Sequence, residues 1–393
     1  MARVAKPKVA RKVSVTKSKV AGFLSFGPNN DFPQTLLDVI DDSDTASAAM
    51  SVRAEFIEGN GFYDLSLSEM IVNRKGETLD DILNQTARNL AEGEVIVLHW
   101  SYNGLGQKVG LQVIPWEQIR FKMPDDLGNI TKAGIFPYIG STLYNKRQNE
   151  NKEVFLYNPD PAVVLAQIEA SGGIEQYYGQ LQYVPIGGKK GQIYHIPSYA
   201  GGSSEFETEA ELSKYRYRLV TSDLVTPGFI KGLAPGKTKI ENERDTDSLA
   251  NRVQQHQGAE NAGSVFVIEA ATQAELDSIK FEPMVMGDLA TRYSAMSEEV
   301  EAHISRRTRV PNELMGIRKS SSGISFTQIQ IKLFSQLMQQ TVNRYQRSVE
   351  RVFSAGFADW HVPVLNRDFG IENLNYFPND ATNGDSTSVA QPG

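Results

Sequence analysis

Between Asp288 and Gly356 apolar residues fall at helical spacing twice, on either side of a break. In the first run Leu289, Tyr293, Met296, Val300 and Ile304 are separated by four, three, four and four positions, which keeps one helix face apolar. Arg306-Arg307-Thr308-Arg309 closes that run, a basic turn suited to the negative end of a helix dipole. Val310-Pro311 stops it, because the residue before a proline is pushed out of the α region. A loop follows over 312–325, holding Arg318, Lys319, Ser320, Ser321, Ser322 and Gly323. A longer helix is predicted from about Phe326. Its stripe is Phe334, Leu337, Met338, Thr341, Val342, Tyr345, Val349, Val352 and Phe353, and Gly356 is its natural terminator. The loop has too few apolar groups to be core, so it is expected to touch something outside its own subunit. The two stripes look too extensive for one subunit's core, which predicts assembly.

The same reading places helices earlier in the chain. Asn30-Asp-Phe-Pro33 opens one that runs through Val39, and a second runs from Ser43, a candidate N-cap, to Glu58, ended by Gly59-Asn-Gly61. A third spans Leu79 to Ala91, capped by Thr78 and closed by Gly93. Strands are predicted over 95–100, 109–115, 118–122 and 154–157. A short helix over 162–170 precedes strands near 177–186 and 192–196. Gly201-Gly-Ser-Ser204 breaks the pattern before a helix from Glu205 to about Leu224. An extended stretch over 225–232, a polar helix over 241–257 and a buried strand over 265–268 follow.

Composition narrows the chemistry. The chain has 393 residues, 40% hydrophobic and 22% charged, an ordinary balance for one large or a few ordinary domains. It has no cysteine and only five histidines, without a His-x-x-x-His pair, so disulfides, thiolate sites and a zinc or haem site are not expected. No apolar run approaches the ~20 residues needed to span a bilayer. The basic start is not followed by the apolar stretch of a signal peptide, so the chain is expected to stay in the cytoplasm where it is made. The net charge of −7 hides an asymmetry: residues 1–20 hold seven Lys/Arg and no acid. That arm, with no aromatic and no helical period, reads as disordered, either a solvated tail or a segment that docks on an acidic partner or nucleic acid.

Candidate chemistry is sparse. Gly232-Leu-Ala-Pro-Gly-Lys-Thr238 resembles a P-loop but has three residues where four are needed, and Pro235 removes an N–H from the cradle. It reads as a solvent-exposed turn; an ATPase built around Lys237 stands as an alternative. Gly187-Gly-Lys-Lys-Gly191 reads as a hairpin tip, and His195 as a packed residue in a strand. Asp41, Asp42 and Asp44 read as a helix-start cluster favoured by the dipole, not a metal site. No nucleophile, base and orienting group gather recognisably.

An ordered series of segments carries a resemblance. A strand ending Tyr194-His-Ile196 leads through a Gly/Ser break and a helix to Thr226-Pro-Gly-Phe-Ile230. A polar helix, the turn from Gly258 to Gly263, and Ser264-Val-Phe-Val-Ile268 come next. A helix then leads into Arg309-Val-Pro-Asn-Glu-Leu-Met-Gly316, and Ser325-Phe-Thr-Gln-Ile329 starts the long helix. This series, best over residues 190–355, resembles the portal proteins of tailed bacteriophages. The resemblance implies an α+β subunit with a wing, a two-helix stem, an α/β clip and a tunnel loop. It makes residues 1–20 a basic arm, 21–204 the first part of the wing, 205–225 and 286–309 the stem helices, 226–285 the clip and 310–325 the tunnel loop. Residues 326–366 become the wing's long helix and the segment after it, and 367–393 a short crown or tail.

It also implies a ring of about twelve subunits, a closed head-to-tail assembly. Such a ring sits at one capsid vertex and passes double-stranded DNA during packaging and ejection. The implied partners are the terminase large subunit, a head-tail adaptor, and major capsid and scaffolding proteins. The location is the virion, after assembly in the host cytoplasm. No cofactor, membrane or enzymatic activity is implied; ATP hydrolysis would belong to the terminase. The physics agrees. Duplex DNA carries one charge per about 1.7 Å, and a long basic surface repeated around a ring would grip it too tightly to slide. An acidic body with a few cations on a loop avoids this, which makes Arg318 and Lys319, with Ser320, Ser321 and Ser322, candidate DNA-channel residues. Arg306, Arg307 and Arg309 are further candidates, though helix capping or intersubunit ion pairs explain them equally. Glu241, Glu243, Asp245 and Asp247 on the polar helix are the candidate motor-docking surface, or a solvated face. A generic DNA-binding protein, which would bind tightly as a monomer, is the other alternative.

Overall fold

Local signals start the N-terminal helices in the computed structural model, which describes residues 22–137, 153–188, 191–221, 229–233, 266–270, 289–317, 328–364 and 367–374, together with Val15. Helix α1 (Phe32–Asp41) begins with Pro33 in its first turn, where a missing N–H does no harm. Helix α2 (Asp44–Glu58) starts as expected at Ser43, whose hydroxyl accepts from the Ala46 N–H at 3.2 Å. After the single turn α3 (Leu65–Ser68), Thr78 and Asp81 exchange bonds in a capping box that opens α4 (Leu79–Gly93). The end of α4 differs from expectation. Gly93 stays helical, and it is glycine because a Cβ there would come within 2.7 Å of the Trp116 ring. The left-handed turn falls instead on Glu94, at φ 53°.

Glu94 leads into a six-stranded sheet. Its strands are β1 (Val95–Tyr102), β2 (Lys108–Val113), β3 (Ile119–Phe121), β4 (Lys132–Ile135), β5 (Glu153–Leu156) and β6 (Gln180–Pro185), in the order β2-β1-β6-β5-β4-β3. Neighbours are antiparallel except β5 and β6, whose parallel pairing uses the crossover through helix α5 (Pro161–Ala170). The near-continuous apolar run of β1 is explained by burial on both faces. Val95 and Val97 point into one core cluster; Ile96, Leu98 and Trp100 point into the other. Strand β4 was not expected from sequence. It is only Lys-Ala-Gly-Ile, and Gly134 is there because a Cβ would meet the Phe136 and Phe23 rings at 2.6 and 2.7 Å.

The expected strand over 192–196, with His195 in it, is irregular chain. Gly187 and Gly188 both take left-handed φ, 100° and 83°, and the segment after them lies outside the sheet, so the expected hairpin does not form. The apolar residues there fill space as side chains. The Tyr194 hydroxyl accepts from the Phe121 N–H and donates to the Leu24 carbonyl, each at 2.9 Å, holding together strands it does not join.

Three long helices complete the described chain: α6 (Ser203–Thr221), α7 (Leu289–Thr308) and α8 (Gln328–Gly356). Helices α6 and α7 run antiparallel. Tyr293 donates to the Leu212 carbonyl at 3.2 Å, and His303 Nδ1 lies 3.7 Å from a Glu205 carboxylate oxygen. Helix α8 seals one core cluster with Met338, Val342, Val349, Val352 and Phe353. Gly356, its last residue, is not left-handed. A Cβ there would stand 2.4 Å from the Trp100 ring, so closeness, not turning, demands glycine. A separate pair, β7 (Phe229–Leu233) and β8 (Phe266–Ala270), is parallel. The protein is thus α+β.

Candidate functional site

The turn between α7 and α8 is built by its own polar side chains. Thr308 Oγ donates to the Ile304 carbonyl at 2.9 Å and Ser305 Oγ to the Val310 carbonyl at 2.6 Å. Arg309 then takes φ 62°, the left-handed conformation usual for glycine after a helix. Residues 311–317 fold as turns, Ile317 N–H donating to the Asn312 carbonyl at 3.0 Å, while Leu314 and Met315 pack on the core. Arg306, Arg307 and Arg309 are exposed. The Arg307 stem lies on Gly202, where a Cβ would come within 2.7 Å of Arg307 Cγ. Arg318, Lys319, Ser320, Ser321 and Ser322 lie outside the described residues, as do Glu241, Glu243, Asp245, Asp247 and Lys237.

Beside this turn opens a cleft of about 490 Å³, whose lining includes Glu94, His195, Ser198, Arg309, Arg344 and Tyr345. Glu94 is its floor. The buried carboxylate accepts from Arg53 Nη2 at 2.8 Å, Ser198 N–H at 2.8 Å, Ser198 Oγ at 2.7 Å and Tyr345 OH at 3.2 Å, and sits 3.4 Å from His195 Nε2. Burial alone would push this carboxyl up. The hydrogen bond with His195 and the charge and hydrogen bond of Arg53 outweigh it and hold the group well below the usual carboxylate range. Four parts of the chain meet here: Arg53 from α2, Glu94 from the α4–β1 junction, the 195–198 segment, and Tyr345 from α8. Although serine, histidine and carboxylate share the site, Ser198 donates to Glu94 and not to the imidazole. The geometry lacks the nucleophile-to-base bond of a hydrolase. Sequence reading passed over Glu94; the signal was an acid immediately before a strand apolar on both faces.

A carboxylate of α6 reaches the start of α2. Glu209 of α6 accepts from the Ser43 hydroxyl, from the Thr45 hydroxyl at 2.5 Å and from the Thr45 N–H at 3.2 Å, placing a negative charge at the start of α2. The aspartate cluster divides differently from expectation. Only Asp44 stands at a helix start; Asp41 ends α1 and Asp42 caps it. Asp41 lines a second cleft with Glu55, Glu58 and Glu92. Burial, then the nearby Asp38 and Asp42, raises the Asp41 carboxyl, and burial with the nearby Glu117 pushes Glu92 up to about 7. Among the described residues no group of three or more His, Asp or Glu could hold a metal ion, and no helix is long and apolar enough to cross a membrane.

No family model matches the sequence, and no curated protein matches it. Among solved structures the chain is similar to one of the virion of a native gene transfer agent particle, at 11% identity over 89% of this chain and 85% of that one, with a TM-score of 0.47. It is similar to a structure of the neck of the empty particle computed with C6 symmetry, at 10% identity over 84% and 82%, TM-score 0.47. A structure of the neck of the native particle computed with C12 symmetry is similar at 13% identity over 84% and 81%, TM-score 0.46.

Proposed function

We propose that the chain is a portal-type subunit. It forms a ring of about twelve copies, closed head to tail, at one capsid vertex of a phage-like virion. The ring is the channel for double-stranded DNA in packaging and ejection, and the docking site for terminase and the head-tail adaptor. In this reading α6 and α7 are the stem, the turn after Arg309 leads into the tunnel loop, and the chain is not itself an enzyme. The observation that carries it is on α8. From Met338 onward one apolar face seals the core, but before it, on roughly the opposite face, Ile329 is 72% exposed, Leu333 59% and Leu337 53%. Three large apolar residues on one helix face, left open by the described residues, are what an assembly surface requires. The resemblance in the ordered series of segments supplies the kind of assembly.

Electron microscopy of the purified chain tests it. Rings with a hole wide enough for a duplex are expected, and Leu333→Ser/Leu337→Ser should leave folded subunits that do not form them. A parent that stays monomeric at every salt and protein concentration sinks the reading. Replacing Arg318 and Lys319 by Ser should leave rings intact and change DNA packaging or retention, with Lys6 and Lys8 replaced as the control.

A further inference from the structure

The cleft beside the Arg309 turn is under more constraint than a surface dip needs. Among the described residues the non-glycine positions with positive φ are Asn30, Glu94 and Arg309; two of the three line this cleft. Gly187 and Gly188, also left-handed, form another wall. Backbone held in sparsely populated conformations clusters where a ligand or partner is clamped. The glycines leave room that a side chain would fill. A Cβ on Gly188 would come within 2.7 Å of His195 Nδ1, and one on Gly187 would lie 3.8 Å from the Arg344 guanidinium.

The charge of the cleft is unbalanced. Its one lining carboxylate, Glu94, is already engaged by Arg53, Ser198, Tyr345 and His195. Arg309 and Arg344 are exposed, and neither has a carboxylate partner among the described residues. In a chain of net charge −7, two unpaired arginines facing one cleft point to an oxyanion from outside it. Helix α8 says where it comes from. Arg344 lies seven residues, two turns, after Leu337, so it stands on the same face as the uncovered Ile329, Leu333 and Leu337. An apolar stripe running into a cationic cleft is the anatomy of a protein interface, apolar at its centre and polar at its margin. The cleft's volume, about 490 Å³, is that of a pocket for side chains or a small ligand, not the breadth of a duplex.

We propose that this cleft receives an acidic side chain of a second copy of this chain, its carboxylate held by Arg309 and Arg344, and so fixes the register of one subunit on the next. The inference rests on the ring reading above and adds to it the place where neighbours lock.

Sedimentation velocity of the full chain over a concentration series, at about 50 mM and about 500 mM salt, tests it, since the higher salt shortens the Debye length severalfold. Arg309→Asn/Arg344→Gln is the main variant, asparagine being chosen because it tolerates the left-handed region. The expected result is roughly a tenfold or greater rise in the concentration needed for assembly, with the salt response of the parent lost. Arg344→Lys should fall between parent and double variant, because it keeps the charge and loses the fork. If the double variant does not fold, Arg344→Gln alone decides by the same readout. Unchanged assembly of the variant at both salts, with a parent that forms rings, overturns this inference and leaves the ring reading standing. A parent that never assembles overturns both. A variant that assembles like the parent but no longer binds inorganic phosphate, which the parent binds in calorimetry, also overturns it, the cleft then belonging to a free anion.

Discussion

Helix α8 carries apolar residues on two faces, one toward each end, and the two have opposite fates. Val342, Val349 and Phe353 are fully enclosed in their own subunit, beside Trp100, Phe357 and Phe369. Ile329, Leu333 and Leu337, nearer the start of the helix, lie on roughly the opposite face and are more than half exposed among the described residues. A hydrophobic period states that a face will be covered; it does not state by which chain. The enclosed face defines the subunit, and the open face is what the ring reading gives to a neighbour.

Truncating each end separates these roles most sharply. Phe353→Ala should destabilise the subunit by about 3–5 kcal/mol, because a large ring leaves a cavity in a closed core. Leu333→Ala should change subunit stability by no more than about 0.5 kcal/mol, since it lies on open surface. Chemical denaturation of unassembled protein measures both, and equal losses would mean that the open end is covered within the subunit.

The next largest effect lies where α8 meets the sheet. Glu94→Gln should cost about 3 kcal/mol, because it strands the buried Arg53 guanidinium without its counter-charge. The pH dependence gives the sign. The native Glu94 carboxyl lies below its unfolded value, so its contribution is present above the ordinary glutamate range and is lost as pH falls through the native value. Denaturation midpoints between about pH 5 and 2 should therefore fall less steeply in the variant than in the parent. Parallel curves would show that the network holds no net charge stabilisation.

A smaller effect tests the closed end from its last residue. Gly356→Ala should lose about 1–3 kcal/mol, its methyl forced against the Trp100 ring 2.4 Å away. If glycine served only to end the helix, alanine would be neutral, because the position already has right-handed φ.

Glu92 gives the smallest and most local effect. Its native carboxyl is raised to about 7, so its neutral form favours folding below the unfolded value and that contribution is lost as pH rises through 7. Glu92→Gln should flatten stability between about pH 5 and 8 while leaving the acid limb governed by Glu94 in place.

Local chemistry was legible in the sequence. Ser43 and Thr78 announced their helices because caps act within three residues, and β1 announced itself because both its faces are apolar. What failed depended on distant neighbours. Gly93 looked like a terminator, but its glycine answers the Trp116 ring 23 positions on, and the turn moved to Glu94. Tyr194-His195-Ile196 looked like a strand, yet Tyr194 works through its hydroxyl on two other segments. Of the candidate site, the basic turn at Arg306, Arg307 and Arg309 was legible from the dipole pattern. The network under it was not, because its members are separated by as many as 292 positions.

That separation governs how the protein is born. The Gln346 side chain donates to the Phe56 carbonyl, 290 residues apart, and Phe62 bridges Ile371. At ~5–20 residues per second, α2 leaves the ribosome roughly 15–60 s before α8 arrives to cover it. Throughout that interval Phe56 and Ile57 lack the cover that α8 gives them, and the nascent chain is a client for holding chaperones. A ribosome that stops anywhere before α8 releases not a smaller subunit but an open one.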